Sequence, residues 1–535
     1  MRRLRFSLII LFSIFWLLIV VGYFLLQTNF GAKIVSQQLS KLGAYSITIG
    51  KINHSFANFY ELSVDNLLVK KDQQEVANIG KLIVGFDKQN LWQFHHFNYI
   101  NVIDGTLDGS QISQSIFTAN MLRFYNTTLK FSLNNAQEPL LLQQINGGIK
   151  PFDLSSKQPY QFDLTAQQVL FKQMAVNSVL LQGYYRDGIT SITNLGGNIG
   201  NGFFVSKLKM LADGSLDIAQ LKLNNIHFNV NNETDLNRYL SELPKFKLQE
   251  FSIFDSNIQL PNLTIEKGNI DITNIDYDDN QWQLKQSNFV ISADNVVWFD
   301  EKLSSLLLQL SCKDDEVDIL KAIAEWHDGN IRLTGSWRNN VLHLKTLLLA
   351  SVNYQLPDNF KQRLLPSIFN QVDIDQLTVM PSTLISTKSD YPFNLASFNV
   401  SGTNVRLVED KRIGIYSGSL FFKANDATIN KIAVKYPNLS LSFDSQHRAL
   451  LSFSALINSG KLDAIATINP LQTEFESLHI IAKGITSELL NQWQIVQTPP
   501  ESSNYRVDLH GEISPFSLSG TFFTNDNEYS IYSQH

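Results

Sequence analysis

The stretch SITIGKINHSFANFYELSVDNLLVK, Ser46 to Lys70, decides how the rest of the chain is read. Apolar residues alternate with polar ones at Ile47 and Ile49, the pattern lapses at Gly50-Lys51, and it resumes at Leu62 and Val64. A period of two marks a strand with one buried face. The same alternation returns at Leu82, Val84 and Phe86 before DKQN, at Phe162 and Leu164, and at Leu216 and Ile218 after ADGS, each beside residues that favour turns. Strands of a parallel sheet covered on both sides would be apolar throughout, so one-sided strands favour antiparallel meanders.

Between Ile258 and Ala293 the apolar pairs crowd too closely for separate hairpins. They read as longer strands whose apolar parity flips at bulges. LKLNNIHFNV does the same, with Leu221 and Leu223 giving way to Ile226, Phe228 and Val230 around Asn224-Asn225. Helical spacing is rare. ETDLNRYLSEL sets Leu236, Tyr239, Leu240 and Leu243 on one face, DNFKQRLLPSIF spaces Phe360, Leu364 and Ile368 but contains Pro366, and SELLNQW is short. These read as caps between runs of strands. TPPESSN, Thr498 to Asn504, is the one strong linker candidate, and too little chain follows it for an ordinary domain.

At the N-terminus, Arg2, Arg3 and Arg5 precede an uncharged apolar run from Phe6 to Leu26. About 20 apolar residues span a bilayer. A cleaved signal would have a shorter apolar core and a small-x-small site, which QTNFGAKI does not supply. A retained anchor is therefore expected, with the arginines holding the N-terminus in the cytoplasm. Phe30, Ile34, Val35, Leu39 and Leu42 then follow at helical spacing, with Thr28 or Asn29 as N-cap. This amphipathic helix has three readings: it lies on the membrane, plugs one end of the β-body, or simply packs. The expected organisation is a cytoplasmic 1–5, a transmembrane 6–26, a short helix in 27–43, a β-body over 44–497 and C-terminal strands or tail over 498–535.

The chain has 535 residues, of which 17% are charged, with a net charge of −6 and 36 Phe. With no long basic run, nucleic acid is not an expected partner. The single cysteine, Cys312, excludes an internal disulfide and a paired-thiol metal site. DYDDN, Asp276 to Asn280, starts like a calcium loop, but Gln281 and Ser287 stand where the glycine and the bidentate glutamate belong. His95-His96, adjacent on a strand, would face opposite ways. DGN, Asp328 to Asn330, suits a hairpin turn. Catalytic and nucleotide-binding motifs are missing, so neither an enzyme nor a cofactor is expected.

FLLQTNFGAKIVSQQL, VANIGKLIVGFD, INGGIKPF, TNLGGNIGNGFF, ADGSLDIAQLKLNNIHF and GIYSGSLFFKAND, in that order, resemble the AsmA family of Gram-negative inner-membrane proteins. The resemblance runs from the anchor to about Gln492-Trp493. It implies a periplasmic β-body held in the inner membrane, a role in outer-membrane biogenesis, and, by analogy with larger members, phospholipid carried along an apolar groove. It brings no catalytic residues. The expected fold is thus mainly β: a transmembrane helix followed by an elongated, curved, mostly antiparallel sheet with a few short helices. Ile47, Ile49, Leu62, Val64, Leu82, Val84 and Phe86 are the candidate groove-lining residues. Alternation reports a buried face and not what buries it, so an open groove and a closed core both remain. The expected partners are the inner membrane, phospholipid, and outer-membrane or periplasmic proteins. The alternative role is an envelope assembly factor that pairs exposed strand edges with a client.

Overall fold

A computed structural model describes residues 2–41, 45–87, 96–112, 117–131, 139–153, 158–171, 174–230, 232–235, 237, 243–278, 281–284, 286–299, 301–314, 316–356, 369–387, 392–469, 474–513 and 516–532. Helix α1 (Arg2–Leu26) is the apolar N-terminal run, and helix α2 (Asn29–Lys41) follows after two residues. The pair is bent by 85°. Thr28 makes the corner: its hydroxyl donates to the Leu25 carbonyl at 2.6 Å and accepts from the Gly31 amide at 3.3 Å, closing one helix and capping the next. A Cβ on Gly31 would lie 2.3 Å from the Leu25 carbonyl oxygen, so only glycine fits so tight an approach.

Everything after α2 is dominated by strands, as expected, and divides into two compact units. The first consists of Met1–Phe228, Thr234–Ser256 and Ile275–Gln283. In it β1 (Tyr45–His54), β2 (Glu61–Lys71) and β3 (Gln74–Gly85) form an antiparallel meander that continues to Tyr99–Asp108. Leu122–Phe131 joins in parallel, and antiparallel pairing then runs without interruption from there to Leu216–Asn224. The second unit consists of Asn229–Glu233, Asn257–Asn274 and Leu284–His535. Its antiparallel run from Leu263 to Ala350 is followed by a parallel partner, Gln371–Ser386, and antiparallel strands resume to Glu528–Tyr532. Parallel partners need a crossover. Two of the helical patterns, ETDLNRYLSEL and DNFKQRLLPSIF, fall in such crossovers, largely outside the described residues.

Parity flips are built from left-handed residues inside strands. β1 does not stop at Gly50-Lys51. It runs through, and the buried residues Ile49 and Ile52 stand an odd step apart. Opposite Gly50 is Asn66, at φ 53°, and the same odd step separates Val64 from Leu67 on β2. Leu263–Asp278 shows the device twice: Ile265, Ile270 and Ile275 are all buried, with Lys267 (φ 48°) and Asn274 (φ 58°) between them. Asn225 (φ 50°) similarly ends Leu216–Asn224, after which Val230 is buried and Phe228 exposed. Two-residue hairpins with both φ positive, as in type I′ turns, occur at Asp72-Gln73, Asn339-Asn340, Asp410-Lys411, Asn430-Lys431 and Asn458-Ser459. The turn expected at Asp328 to Asn330 is centred on His327-Asp328, and Gly329 already begins the next strand.

Thr498–Asn504 is fastened by backbone bonds. The Ser487 and Ile485 amides donate to the Ser502 and Ser503 carbonyls at 2.8 and 2.9 Å, and Asn504–Ile513 then pairs with Glu474–Lys483. The short helix Glu488–Gln492 buries Leu489 and Leu490 in the largest core cluster of the second unit, with Val507 and Phe522.

Candidate functional site

The seven sequence-predicted groove residues occupy the sheet margin at β1. Ile49 and Val64 are buried with Ala32 of α2 and Ile52, and Ile47, Leu62 and Leu82 are half-buried against them together with Val35 of α2. Val84, opposite Leu62, and Phe86 are half-buried, the Phe86 ring lying 5.6 Å from that of Phe97. Helix α2 caps this margin. Ser36 and Ser40, one turn apart, accept the Ile49 and Ile47 amides at 2.9 and 2.8 Å, satisfying two donors that an edge strand leaves unpaired. Of the three roles open to α2, the edge plug is the one with hydrogen bonds behind it.

The more open apolar surface lies further along. Between Ala166 and Val230 no described apolar side chain is buried, although the strands there alternate as regularly as β1 does. Their register aligns Leu164, Leu181, Leu195, Ser206 and Leu221 in one row, and Ile192, Leu208 and Ile218 in the next. All are half-buried except Ser206, which is buried. In the second unit a row of the same kind joins Ile291, Leu308, Ala322, Leu333 and Leu347, again half-buried, and ends at buried Leu377. Reading the sequence did not single out these rows. Their alternation is the same as that of the capped margin, so no local signal separates them.

A curated protein, the AsmA family protein YicH of Escherichia coli strain K12, is 24% identical over 522 residues, covering 94% of this chain and 91% of the relative. The chain is similar to an AsmA family protein over nearly its whole length. No protein-family model matches. The alignment spans most of the length of both proteins, so the family likeness is not confined to one stretch.

Given this AsmA likeness, the apolar N-terminal helix fits an inner-membrane anchor. Among the described residues no single helix is long and apolar enough to cross a membrane; Ile10–Leu26 and α2, as a bent pair, have the length and composition together. Most side chains of Ile10–Leu26 are exposed, from Leu11 and Phe12 through Trp16 to Leu26.

Much of the described polar surface is hydrogen-bonded to itself. A cavity of about 630 Å³ is lined by Arg123, Asn146, Asp163, Gln182 and Thr193, together with Ile149, Phe162 and Tyr184. Across it Gln182 donates to Asp163 at 2.9 Å and Asn194 to Gln182 at 2.8 Å. A second cavity, of about 720 Å³, surrounds Glu301, whose Oε2 accepts from Trp326 Nε1 at 3.0 Å and meets His327 Nε2 at 3.1 Å. Among the described residues no three His, Cys, Asp or Glu side chains gather as a metal site. Of the paired histidines, His95 lies outside the described residues and His96 contacts the Thr118 hydroxyl at 2.8 Å. Cys312 is buried, which pushes its thiol up and leaves it unreactive. Tyr99 donates to Glu61 at 2.6 Å, and that hydrogen bond pushes its phenol up to about 12.

Proposed function

We propose that this chain is an inner-membrane-anchored envelope protein that shelters phospholipid acyl chains on the half-open rows around Leu181, Leu195 and Leu208, without catalysing a reaction. The observation that carries the reading is that, among the described residues, no apolar side chain is buried between Ala166 and Val230, in strands that nonetheless present a half-buried apolar row. Such a face gains from an apolar occupant. Shielding a chain of sixteen carbons from water is worth on the order of 10 kcal/mol at roughly 0.8 kcal/mol per CH₂. The rows carry no charge, so they would hold the chain and leave the head group to solvent. Arg2, Arg3 and Arg5 ahead of α1 favour a cytoplasmic N-terminus and a periplasmic body. The family's envelope association is consistent with both points.

The test is photo-crosslinking in cells with benzoylphenylalanine in place of Leu195, Leu208 or Ile49 of the full chain. Phospholipid adducts at Leu195 and Leu208, with few at the capped Ile49, are the expected result. Absence of lipid at both open-row positions in folded protein overturns the reading. One observation favours a second reading, assembly of outer-membrane proteins by strand addition: among the described residues Glu528–Tyr532 pairs on one side only, with Phe516–Phe523. A β-barrel precursor crosslinked at Tyr529 would support it.

A further inference from the structure

The loop between β1 and β2 runs His54-Ser55-Phe56-Ala57-Asn58-Phe59-Tyr60 and contains no formally charged residue. It is held as a single turn of 3-10 helix, Phe56–Asn58, with the Ser55 hydroxyl accepting the Ala57 amide at 3.2 Å. Its two phenylalanines point outward, Phe56 at 68% and Phe59 at 59% exposure. Exposing two large aromatic rings in this turn gains little from burial, since most of each ring's surface stays open.

What the loop does touch is the end of the apolar helix. The Tyr23 hydroxyl lies 2.7 Å from His54 Nδ1 and donates to the His54 carbonyl at 3.2 Å, while His54 Nε2 sits 2.9 Å from the Phe59 carbonyl. The Tyr23 ring is 4.8 Å from that of Phe56 and 5.3 Å from that of Phe24, itself 59% exposed. Tyr23 is three residues before the end of α1, so the loop is level with a point about 4–5 Å inside the helix, at 1.5 Å per residue. Leu25 and Leu26, still apolar and exposed, lie beyond it. On α2, Phe30 at 63% and Ile34 at 40% exposure project away from the face that packs on β1.

From this we infer that the Phe56–Phe59 turn is a membrane foot. With Tyr23, Phe24 and Phe30 it forms an aromatic collar that sits in the outer interface of the bilayer spanned by α1 and seats β1 and β2 against the lipid. The occupant is a phospholipid surface, because the patch is continuous with the anchor and level with its last apolar turn, where aromatic rings favour the headgroup boundary. Interfacial elements of this kind enter by about 5–10 Å. The inference rests on the reading of α1 as an anchor, and its test separates the two.

The full chain carrying Cys312→Ala and one new cysteine, Phe56→Cys, Phe59→Cys or Val20→Cys, would be labelled with an environment-sensitive fluorophore. It would then be placed in nanodiscs of phosphatidylethanolamine and phosphatidylglycerol whose lipids carry a quencher near the headgroup or near the chain end. Labels at positions 56 and 59 should emit to the blue and lose most of their signal to the shallow quencher, while a label at position 20 responds to the deep one. Quenching at 20 with water-like emission at 56 and 59 overturns the foot and leaves the anchor standing. Loss of quenching at all three positions overturns both. Both phenylalanines are exposed, so their replacement is not expected to unfold the chain, and circular dichroism of each variant checks this.

Discussion

Two hydroxyls on α2 do for β1 what a neighbouring strand would. Ser36 is buried and receives the Ile49 amide, so Ser36→Ala leaves that donor without a partner. A loss of about 1–3 kcal/mol is expected, read as a lower urea midpoint with unchanged slope. Ser40→Ala should cost less, because its site is more open to water. Tyr99 provides a pH-dependent counterpart. Its phenol holds its proton for Glu61 and is raised from 10.0 to about 12, so the stability it contributes is full below pH 10.0 and disappears as pH rises from there to about 12. The stability gap between the parent and Tyr99→Phe should therefore be constant below that window and shrink within it. A gap that does not vary through alkaline titration would refute the assignment.

At the scale of elements, the corner between α1 and α2 is the most constrained. A side chain at Gly31 collides with the Leu25 carbonyl and with Leu26 Cα, 2.4 Å away, neither of which is a flexible tip. Gly31→Val should open the 85° bend and pull Ser36 and Ser40 off β1. Hydrogen exchange at the Ile47 and Ile49 amides would accelerate, while exchange in Gly460–Asn469 of the second unit should stay as it was. The strands are governed by a different constraint. An all-extended strand reverses its side chains at every residue, and one left-handed residue shifts that parity by one. Asn66, Lys267 and Asn274 each do this, so an apolar step of three or five continues a strand and does not end one.

For the whole chain, the anchor can be tested directly. Full-length protein should remain in the membrane pellet through alkaline carbonate extraction, and removal of residues 1–26 should release the remainder. Release of the full chain by carbonate would count against a spanning α1. The β class, the long strands with parity changes, the hairpin near Asp328 and the helix after the apolar run were all legible in the sequence. Each rests on local periodicity or turn chemistry, which a few neighbouring residues fix. Which apolar faces are closed was not legible. Ile47 and Ile49 alternate in the same way as Leu216 and Ile218, yet α2 covers the first pair while Ile218 remains part of a half-open row. Burial depends on what another segment lays across a strand, and only the tertiary structure brings Ser36, Ala32 and Ser40 to β1 or levels Phe56 with Tyr23.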